Sequence, residues 1–178
     1  MVYNPEKHHL RSIRLKDYDY SQAGVYFITI CTHNRECIFG DVVDGEMRLN
    51  EFGQVVKTEW LKTAKIRDNV ELDEFNVIPN HLHGIIMIID VVGATRRVAP
   101  TIGLQSNSLG SIIGQFKSIV TKNIRKMGLC TFKWQRNYYE HIIRNEKEFN
   151  QIREYVINNP LKWELDTENP KNIKKFKS

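Results

Sequence analysis

The stretch that decides the fold is Pro79-Asn80-His81-Leu82-His83-Gly84, followed directly by Ile85-Ile86-Met87-Ile88-Ile89. The second half is a continuous apolar run rich in β-branched side chains, which predicts a buried strand rather than an amphipathic helix. Residues two apart on a strand share a face, so His81 and His83 are predicted to lie side by side, with Leu82 in the core. Two neutral imidazoles placed in this way can bind one divalent cation. The alternative is a pair of exposed histidines at a strand edge.

Length and composition indicate one globular domain. The chain has 178 residues, of which 41% are hydrophobic and 26% charged, which is enough for a substantial core. It has no run of about 18 apolar residues that would cross a membrane, and no apolar segment typical of a secretory signal. The three cysteines are odd in number and form no CxxC pair, which favours a reducing cytoplasm over disulfides or a thiolate zinc site.

The charges are segregated along the chain. The net charge is +5, but residues 91–136 contain eight basic side chains and no acid, whereas residues 41–74 contain nine acids and five bases. Such a segment is attractive to polyanions such as nucleic acid, although a merely solvated basic face is the alternative. The candidates for contact with phosphates, including two from the N-terminal arm, are Arg11, Arg14, Arg96, Arg97, Lys117, Lys122, Arg125, Lys126, Lys133 and Arg136.

Hydrophobic periodicity predicts an α+β fold, in which an antiparallel sheet has helices packed mainly on one face. Asn50 is a candidate N-cap for the first helix, and Asp44-Gly45 is a hairpin signal. The sequence further predicts a single domain over residues 1–178, with a basic arm at 1–21, a flexible loop at 93–108 and a loose basic tail at 166–178. The predicted strands are 25–31, 38–43, 47–49, 72–78, 84–91 and one within 132–144, and the predicted helices are 51–65, 109–127 and 146–158.

The last predicted helix carries Tyr155 and Asn159, which lie four residues apart and therefore on one helix face. Taken alone, Tyr155 is typical of a half-buried tyrosine with its hydroxyl at the surface, and Asn159 of a helix C-terminus before Pro160.

Together with the histidine pair and the basic segment, this helix resembles the HUH single-tyrosine transposases, and more closely their REP-associated tyrosine transposase branch. The Trp-Gln-Arg block followed by Tyr-x-x-x-Asn-Pro is the most specific part of the resemblance, which extends over nearly the whole chain. The matching segments are Tyr18-Asp19-Tyr20-Ser21, Tyr26-Phe27-Ile28-Thr29, Pro79-Asn80-His81-Leu82-His83-Gly84, Phe116-Lys117-Ser118, Trp134-Gln135-Arg136-Asn137-Tyr138-Tyr139-Glu140-His141, Ile143-Arg144-Asn145 and Tyr155-Val156-Ile157-Asn158-Asn159-Pro160.

The resemblance implies a ferredoxin-like HUH sheet and a role for each matching residue. His81, His83 and Asn159 would bind Mg²⁺ or Mn²⁺, and Tyr155 would be the nucleophile that forms a 5′-phosphotyrosine on single-stranded, hairpin-forming (REP-like) DNA. Asn159 stands where the insertion-sequence branch typically has Gln, which favours the REP-associated branch over autonomous transposition. The implied protein is a cytoplasmic, nucleoid-associated monomer or homodimer that nicks and rejoins DNA.

Two other functions remain open from the residues themselves. One is a DNA or RNA binder that has kept this fold without turnover. The other is a metal-dependent phosphodiesterase that uses water, although the sequence does not offer the extra Asp and His ligands usual in such hydrolases. Of the aromatic residues that can stack on unpaired bases, Trp134 is predicted to belong to the core, while Tyr138 and Tyr139 stay candidates. His141 is predicted to have a structural role on a strand.

Overall fold

The structure, a computed structural model, describes residues 19–90 and 107–173. Within this part of the chain there are six strands and four α-helices, and two short 3-10 helices at His33–Arg35 and Pro160–Leu165. The strands are β1 (Gly24–Cys31), β2 (Gly40–Val43), β3 (Glu46–Leu49), β4 (Val70–Ile78), β5 (His81–Ile88) and β6 (Tyr139–Ile143). The helices are α1 (Glu51–Lys65), α2 (Leu109–Lys126), α3 (Glu146–Asn158) and α4 (Pro170–Ile173).

Four strands form one sheet in the order β4-β5-β1-β6, and every neighbouring pair is antiparallel. With α1 after β1 and α2 after β5, the order of elements is the β-α-β-β-α-β of ferredoxin-like folds, which confirms the predicted α+β class. β2 and β3 form a separate hairpin around Asp44 and Gly45. Both turn residues have positive φ angles (54° and 78°), as a two-residue hairpin turn of this hand requires.

The larger core lies between the sheet and the pair α1 and α2. Alternate side chains of β1 and β5 point into it, and Trp60 of α1 meets Phe116 of α2 edge-on, with ring centroids 5.3 Å apart. Gly84 lets Trp60 approach β5, because a Cβ atom there would lie 2.8 Å from Trp60 Cζ2. α1 begins at the predicted cap, where Asn50 Oδ1 accepts a hydrogen bond from the Gly53 amide.

The opposite face of the sheet is covered by α3 alone among the long described helices. A smaller apolar cluster of Phe27, Ile85, Ile143 and Val156 joins α3 to β1, β5 and β6 on this side. The helices therefore lie mainly on one face, as predicted, and the exception is the helix that carries Tyr155.

The loose tail predicted from residue 166 is wrong for the described part of that segment. After α3 the chain turns through the 3-10 helix and packs back against the sheet, so that Asp166 and Asn169 are buried. Side-chain amides hold this segment: Asn169 donates to the Trp163 carbonyl, and Asn172 donates to the carbonyls of Glu164 and Asp166. Most of the predicted arm and loop lie outside the described residues, including Arg11, Arg14, Arg96 and Arg97.

The structure does describe the last residues of the predicted arm and of the predicted loop. Tyr20 is buried in the larger core and Ser108 caps α2 through a hydrogen bond from the Ser111 amide. Among the described helices, none is long and apolar enough to cross a membrane.

Candidate active site

The two histidines lie at the start of β5, on the face of the sheet that α3 covers. In the register with β1, His81 lies opposite Cys31 and His83 opposite Thr29. The two imidazole centroids are 4.3 Å apart, and both side chains are buried in a central strand rather than exposed at an edge. Leu82, between them, is fully buried on the other face. The side-by-side placement predicted from the sequence is therefore observed.

Asn80 fixes the tautomer of His81. The Asn80 amide nitrogen donates to the backbone carbonyls of Arg35 (3.0 Å) and Glu168 (2.8 Å), so its Oδ1 faces the imidazole. That oxygen lies 2.8 Å from His81 Nδ1 and can only accept a hydrogen bond, so the ring proton is on Nδ1. The lone pair of His81 Nε2 is left pointing into the site, where this buried atom has no hydrogen-bond partner among the described residues.

Both imidazoles are neutral near neutral pH. Burial, and secondarily the positive charge of Arg35, lower the pKa of His81 to about 3. Burial and the neighbouring His81 also lower the pKa of His83. Thr29 holds the second ring, since its hydroxyl lies 2.8 Å from His83 Nδ1. A neutral ring nitrogen is the form that can bind a metal ion, so the site is prepared for a cation without first losing protons.

α3 brings Tyr155 to this pair. The Tyr155 hydroxyl lies 3.2 Å from His83 Nε2, and its ring meets the rings of His83 and Phe27 at centroid distances of 5.2 and 5.9 Å. The side chain is 42% exposed, so the hydroxyl stands between the buried site and solvent. Burial raises the pKa of Tyr155 to about 12, and the negative charge of Asp166 acts in the same direction. The phenol is therefore protonated at neutral pH.

Asn159 lies one turn after Tyr155, at the C-terminal end of α3, and is 1% exposed. Its amide nitrogen donates to Asp166 Oδ2 at 2.9 Å. The amide oxygen is buried and has no hydrogen-bond partner in the part of the chain that the structure describes. A buried oxygen without a donor costs free energy unless something else meets it, so this atom is available to a cation.

Asp166 belongs to the same site and was missed by the sequence analysis. One side-chain atom from each of His81, His83 and Asp166 lies within 4.8 Å of the other two, and the Asp166 side chain is buried. The distance from His81 Nε2 to Asp166 Oδ2 is 3.9 Å. A single acid in a polar tail has no hydrophobic periodicity or ligand spacing that points to it. The sequence therefore contained no signal for this residue.

The donor set fits a divalent cation. Two of its atoms, His81 Nε2 and Asn159 Oδ1, are buried without a partner among the described residues, and the nearby Asp166 supplies a carboxylate. Imidazole nitrogens with amide and carboxylate oxygens suit divalent ions that accept mixed ligands. The His81–His83–Asp166 group can therefore bind a metal ion.

The basic residues of the middle segment line an open groove of about 830 Å³ between α2 and residues 133–136. Lys117 braces the groove by donating to the carbonyls of Gln135 (2.6 Å) and Arg136 (3.0 Å). Burial lowers the pKa of Lys117 to about 8. Six cations and no acid line the groove, and all six were singled out in the sequence: Lys117, Lys122, Arg125, Lys126, Lys133 and Arg136.

The three aromatic residues considered for stacking on bases differ in how far they are buried. Trp134 is in the core, as predicted, and Tyr138 packs against the core as a partly buried residue. Tyr139 is 45% exposed on β6. His141, also on β6, lies 2.7 Å from Glu148 through its Nε2 atom, and the same carboxylate accepts a hydrogen bond from the Arg144 amide. His141 thus joins β6 to the first turn of α3, which is a structural contact.

Comparison with known proteins gives a relative in sequence and similar folds among solved structures. No protein-family profile matches the chain. An uncharacterised protein of Haemophilus influenzae is 47% identical over 172 residues, which cover 92% of this chain and 95% of that protein. The structure of a REP-associated tyrosine transposase bound to a REP hairpin superposes with a TM-score of 0.57 and 21% identity. That alignment covers 86% of this chain and 74% of the other, and at this identity the likeness concerns the fold.

Proposed function

We propose that this chain is a metal-dependent endonuclease and strand transferase that acts on single-stranded DNA. The chain belongs to one family with the Haemophilus influenzae protein and has the fold of the REP-associated tyrosine transposases. The observation that carries the proposal is the placement of the Tyr155 hydroxyl 3.2 Å from His83 Nε2, at the open side of the His81–His83–Asp166 group. A nucleophile and a cation site within reach of one phosphate are the two requirements of phosphodiester transfer. Hairpin-forming repeats are the proposed substrate, because the similar structure was solved with a REP hairpin.

The chemistry assigns separate tasks to the chain's own side chains. The Tyr155 oxygen attacks the phosphorus in line and loses its proton, the bond from phosphorus to the 3′ oxygen breaks, and that oxygen takes up a proton. The products are a 5′-phosphotyrosine and a free 3′ hydroxyl, and a second 3′ hydroxyl can reverse the step and rejoin the strand. A divalent ion, Mg²⁺ or Mn²⁺, held by His81, His83, Asn159 and Asp166 would neutralise charge on the non-bridging oxygens.

The placement of Tyr155 also supports a tyrosine nucleophile over water. Asp166 supplies an Asp of the kind that water-using hydrolases add to a histidine pair, so the structure removes part of the sequence argument against a water-using phosphodiesterase. Such an enzyme, however, leaves no protein attached to its product. A DNA or RNA binder without turnover would leave the substrate intact.

The test is incubation with hairpin DNA labelled at its 3′ end and Mn²⁺, followed by denaturing electrophoresis. The proposal expects a labelled band at the mass of the protein plus the 5′-phosphorylated fragment, lost when EDTA is added. Cleaved DNA with no attached protein would select the water-using enzyme. Bound but uncleaved DNA would select the binding protein.

The cationic groove predicts a steep salt dependence of DNA affinity. Each phosphate contacted on a single strand contributes a slope of about −0.7 to log K against log salt, so six contacts would give about −4. Replacing three exposed lysines together (Lys122→Ala, Lys126→Ala and Lys133→Ala) should reduce the steepness by about 2. Fluorescence anisotropy of labelled DNA at a series of salt concentrations measures both values.

The matched control removes three exposed lysines of α1, at positions 57, 62 and 65, which lie in the acidic part of the sequence. This variant has the same net charge as the groove variant, so a difference between their salt slopes reports the position of the lysines and not the total charge. Equal slopes for the two variants would show that the groove is not the DNA-binding face.

Asp166→Asn is expected to weaken Mn²⁺ binding about ten- to a hundredfold, because the change removes the only negative charge among the proposed ligands. Asparagine keeps the shape of the side chain but only one of the two oxygens that accept from Asn159 and from the Glu168 amide, so circular dichroism is used to check that the variant is folded. Isothermal titration of Mn²⁺ into the DNA-free protein measures the effect. Glu168→Gln is the control, because this nearby carboxylate contacts Arg35 and Cys31 and not the histidines. Unchanged Mn²⁺ affinity in Asp166→Asn would exclude Asp166 from the metal site.

A further inference from the structure

We propose that the ring of Tyr139 stacks on an unpaired base of the DNA strand whose phosphate is presented to Tyr155. The inference rests on the proposed function for its ligand, single-stranded DNA, but it concerns binding and does not require cleavage. Tyr139 would be a positioning residue, since its ring contacts a base and not the reacting atoms.

The sheet places Tyr139 in one row with the site. Tyr139 of β6 pairs with Thr29 of β1, and Thr29 pairs with His83 of β5, so the three side chains share one face. Neighbouring strands are about 4.8 Å apart, which puts the backbone of Tyr139 about 10 Å from that of His83. Within the described sheet, β6 is an edge strand, so the row of described side chains ends at Tyr139.

The two tyrosines form the ends of an aromatic group on this face. Phe27 is buried between them and meets Tyr139 and Tyr155 at centroid distances of 6.2 and 5.9 Å, with interplanar angles of 66° and 85°. Tyr139 is 45% exposed and Tyr155 is 42% exposed. A strand backbone and a buried phenylalanine hold the Tyr139 ring in place, while almost half of its surface stays open to a ligand. A fixed, half-exposed ring loses little entropy when a flat partner stacks on it.

The charge of the neighbouring surface identifies that partner as nucleic acid. Arg136, the last cation of the groove, precedes Tyr139 by three residues, a span of at most about 11 Å. The groove lies on the α2 side of the sheet and the aromatic group on the α3 side, so a strand held in the groove reaches Tyr139 and then Tyr155 by passing round the β6 edge. Cations that hold the backbone and an aromatic ring that stacks on a base are the combination typical of single-strand binding surfaces.

The experiment compares two probes of equal charge. One is fluorescein-labelled oligo(dT) of about 20 nucleotides, and the other is a strand of equal length built from abasic tetrahydrofuran units, which has phosphates but no bases. Dissociation constants are measured by anisotropy in EDTA for the wild type, Tyr139→Ala, Tyr139→Phe and a control, Ile66→Ala, which truncates another exposed apolar side chain.

Tyr139→Ala should bind oligo(dT) about five- to a hundredfold more weakly than the wild type, the range given by loss of one stacked base. Its affinity for the abasic strand should change by less than about twofold, and Tyr139→Phe should bind both probes as the wild type does. Equal weakening for both probes, or no weakening for oligo(dT), would overturn the inference. Because EDTA prevents metal-dependent turnover, this result is independent of whether Tyr155 proves to be a nucleophile.

Discussion

Tyr155→Phe is expected to abolish strand cleavage and the covalent protein–DNA adduct, a loss on the order of a thousandfold or more, because the change removes the oxygen that forms the bond to phosphorus. The change removes only a hydroxyl. The phenylalanine ring can keep the contacts that Tyr155 makes with Phe27 and His83, so the fold should be retained. Gel electrophoresis of the labelled hairpin in Mn²⁺ measures both the cleavage and the adduct.

Binding should be unaffected by the same change. The Tyr155 hydroxyl lies 3.2 Å from His83 Nε2 but is not among the proposed ligands, so Mn²⁺ affinity and DNA affinity should remain within about twofold of the wild type. A variant that lost cleavage and Mn²⁺ binding together would indicate that the hydroxyl has a structural role at the metal site. The loss of cleavage in that variant would then not be evidence that Tyr155 is the nucleophile.

The controls are the two tyrosines of the Trp-Gln-Arg block. Tyr138 packs against the core and Tyr139 lies on the edge strand two strands from His83, so neither hydroxyl is placed as Tyr155 is. Tyr138→Phe and Tyr139→Phe should retain cleavage and adduct. Mass spectrometry of the trapped adduct decides the point directly, and a nucleotide attached to any tyrosine other than Tyr155 would contradict the assignment.

The antiparallel sheet and the three long helices could be predicted from the sequence because most of these elements have a regular apolar pattern. The continuous run after His83 predicted a buried strand at 84–91, which is observed as β5 and begins three residues earlier, at His81. Helical spacing in residues 51–65 predicted α1 with the bounds observed. The position of the two histidines followed from strand geometry, since side chains two apart must share a face. Hydrophobic periodicity predicts most helices and strands of this chain because each of them buries one continuous apolar face.

The segment after α3 could not be predicted in this way. It is held by polar contacts, such as Asn80 Nδ2 to the Glu168 carbonyl and Asn159 Nδ2 to Asp166, which have no period in the sequence. A composition with several lysines and acids is typical of a solvated tail, and only the three-dimensional path shows that Asp166 and Asn169 are buried. One member of the candidate metal site was therefore hidden from the sequence, while the two histidines were evident.

His81→Ala or His83→Ala is expected to abolish cleavage while DNA affinity remains near that of the wild type. Each change removes one of the two neutral imidazoles proposed as ligands, so a divalent ion is bound more weakly and is no longer held in position to polarise the phosphate. The cationic groove does not include either histidine, so contacts with phosphates should persist. Cleavage in Mn²⁺ and anisotropy in EDTA measure the two effects separately.

Because both histidines are buried, the variants also need a test of folding. Truncation to alanine leaves a small cavity and removes the hydrogen bond to Asn80 or Thr29, which together cost on the order of 2–3 kcal/mol of unfolding free energy. Circular dichroism and a urea unfolding curve establish whether each variant is folded at the assay temperature. His81→Gln and His83→Gln, which fill more of the space, provide a second pair if the alanine variants are unstable.

The effect of Mn²⁺ on thermal stability distinguishes a histidine that binds the metal ion from one with a purely structural role. In the wild type, Mn²⁺ should raise the midpoint of thermal unfolding, since an ion that binds only the folded state stabilises it by mass action. His81→Ala and His83→Ala should lose this shift, whereas Tyr155→Phe should keep it. A histidine variant that is folded, still stabilised by Mn²⁺ and still able to cleave DNA would show that the pair is a buried structural element of β5, and the metal site would have to lie elsewhere.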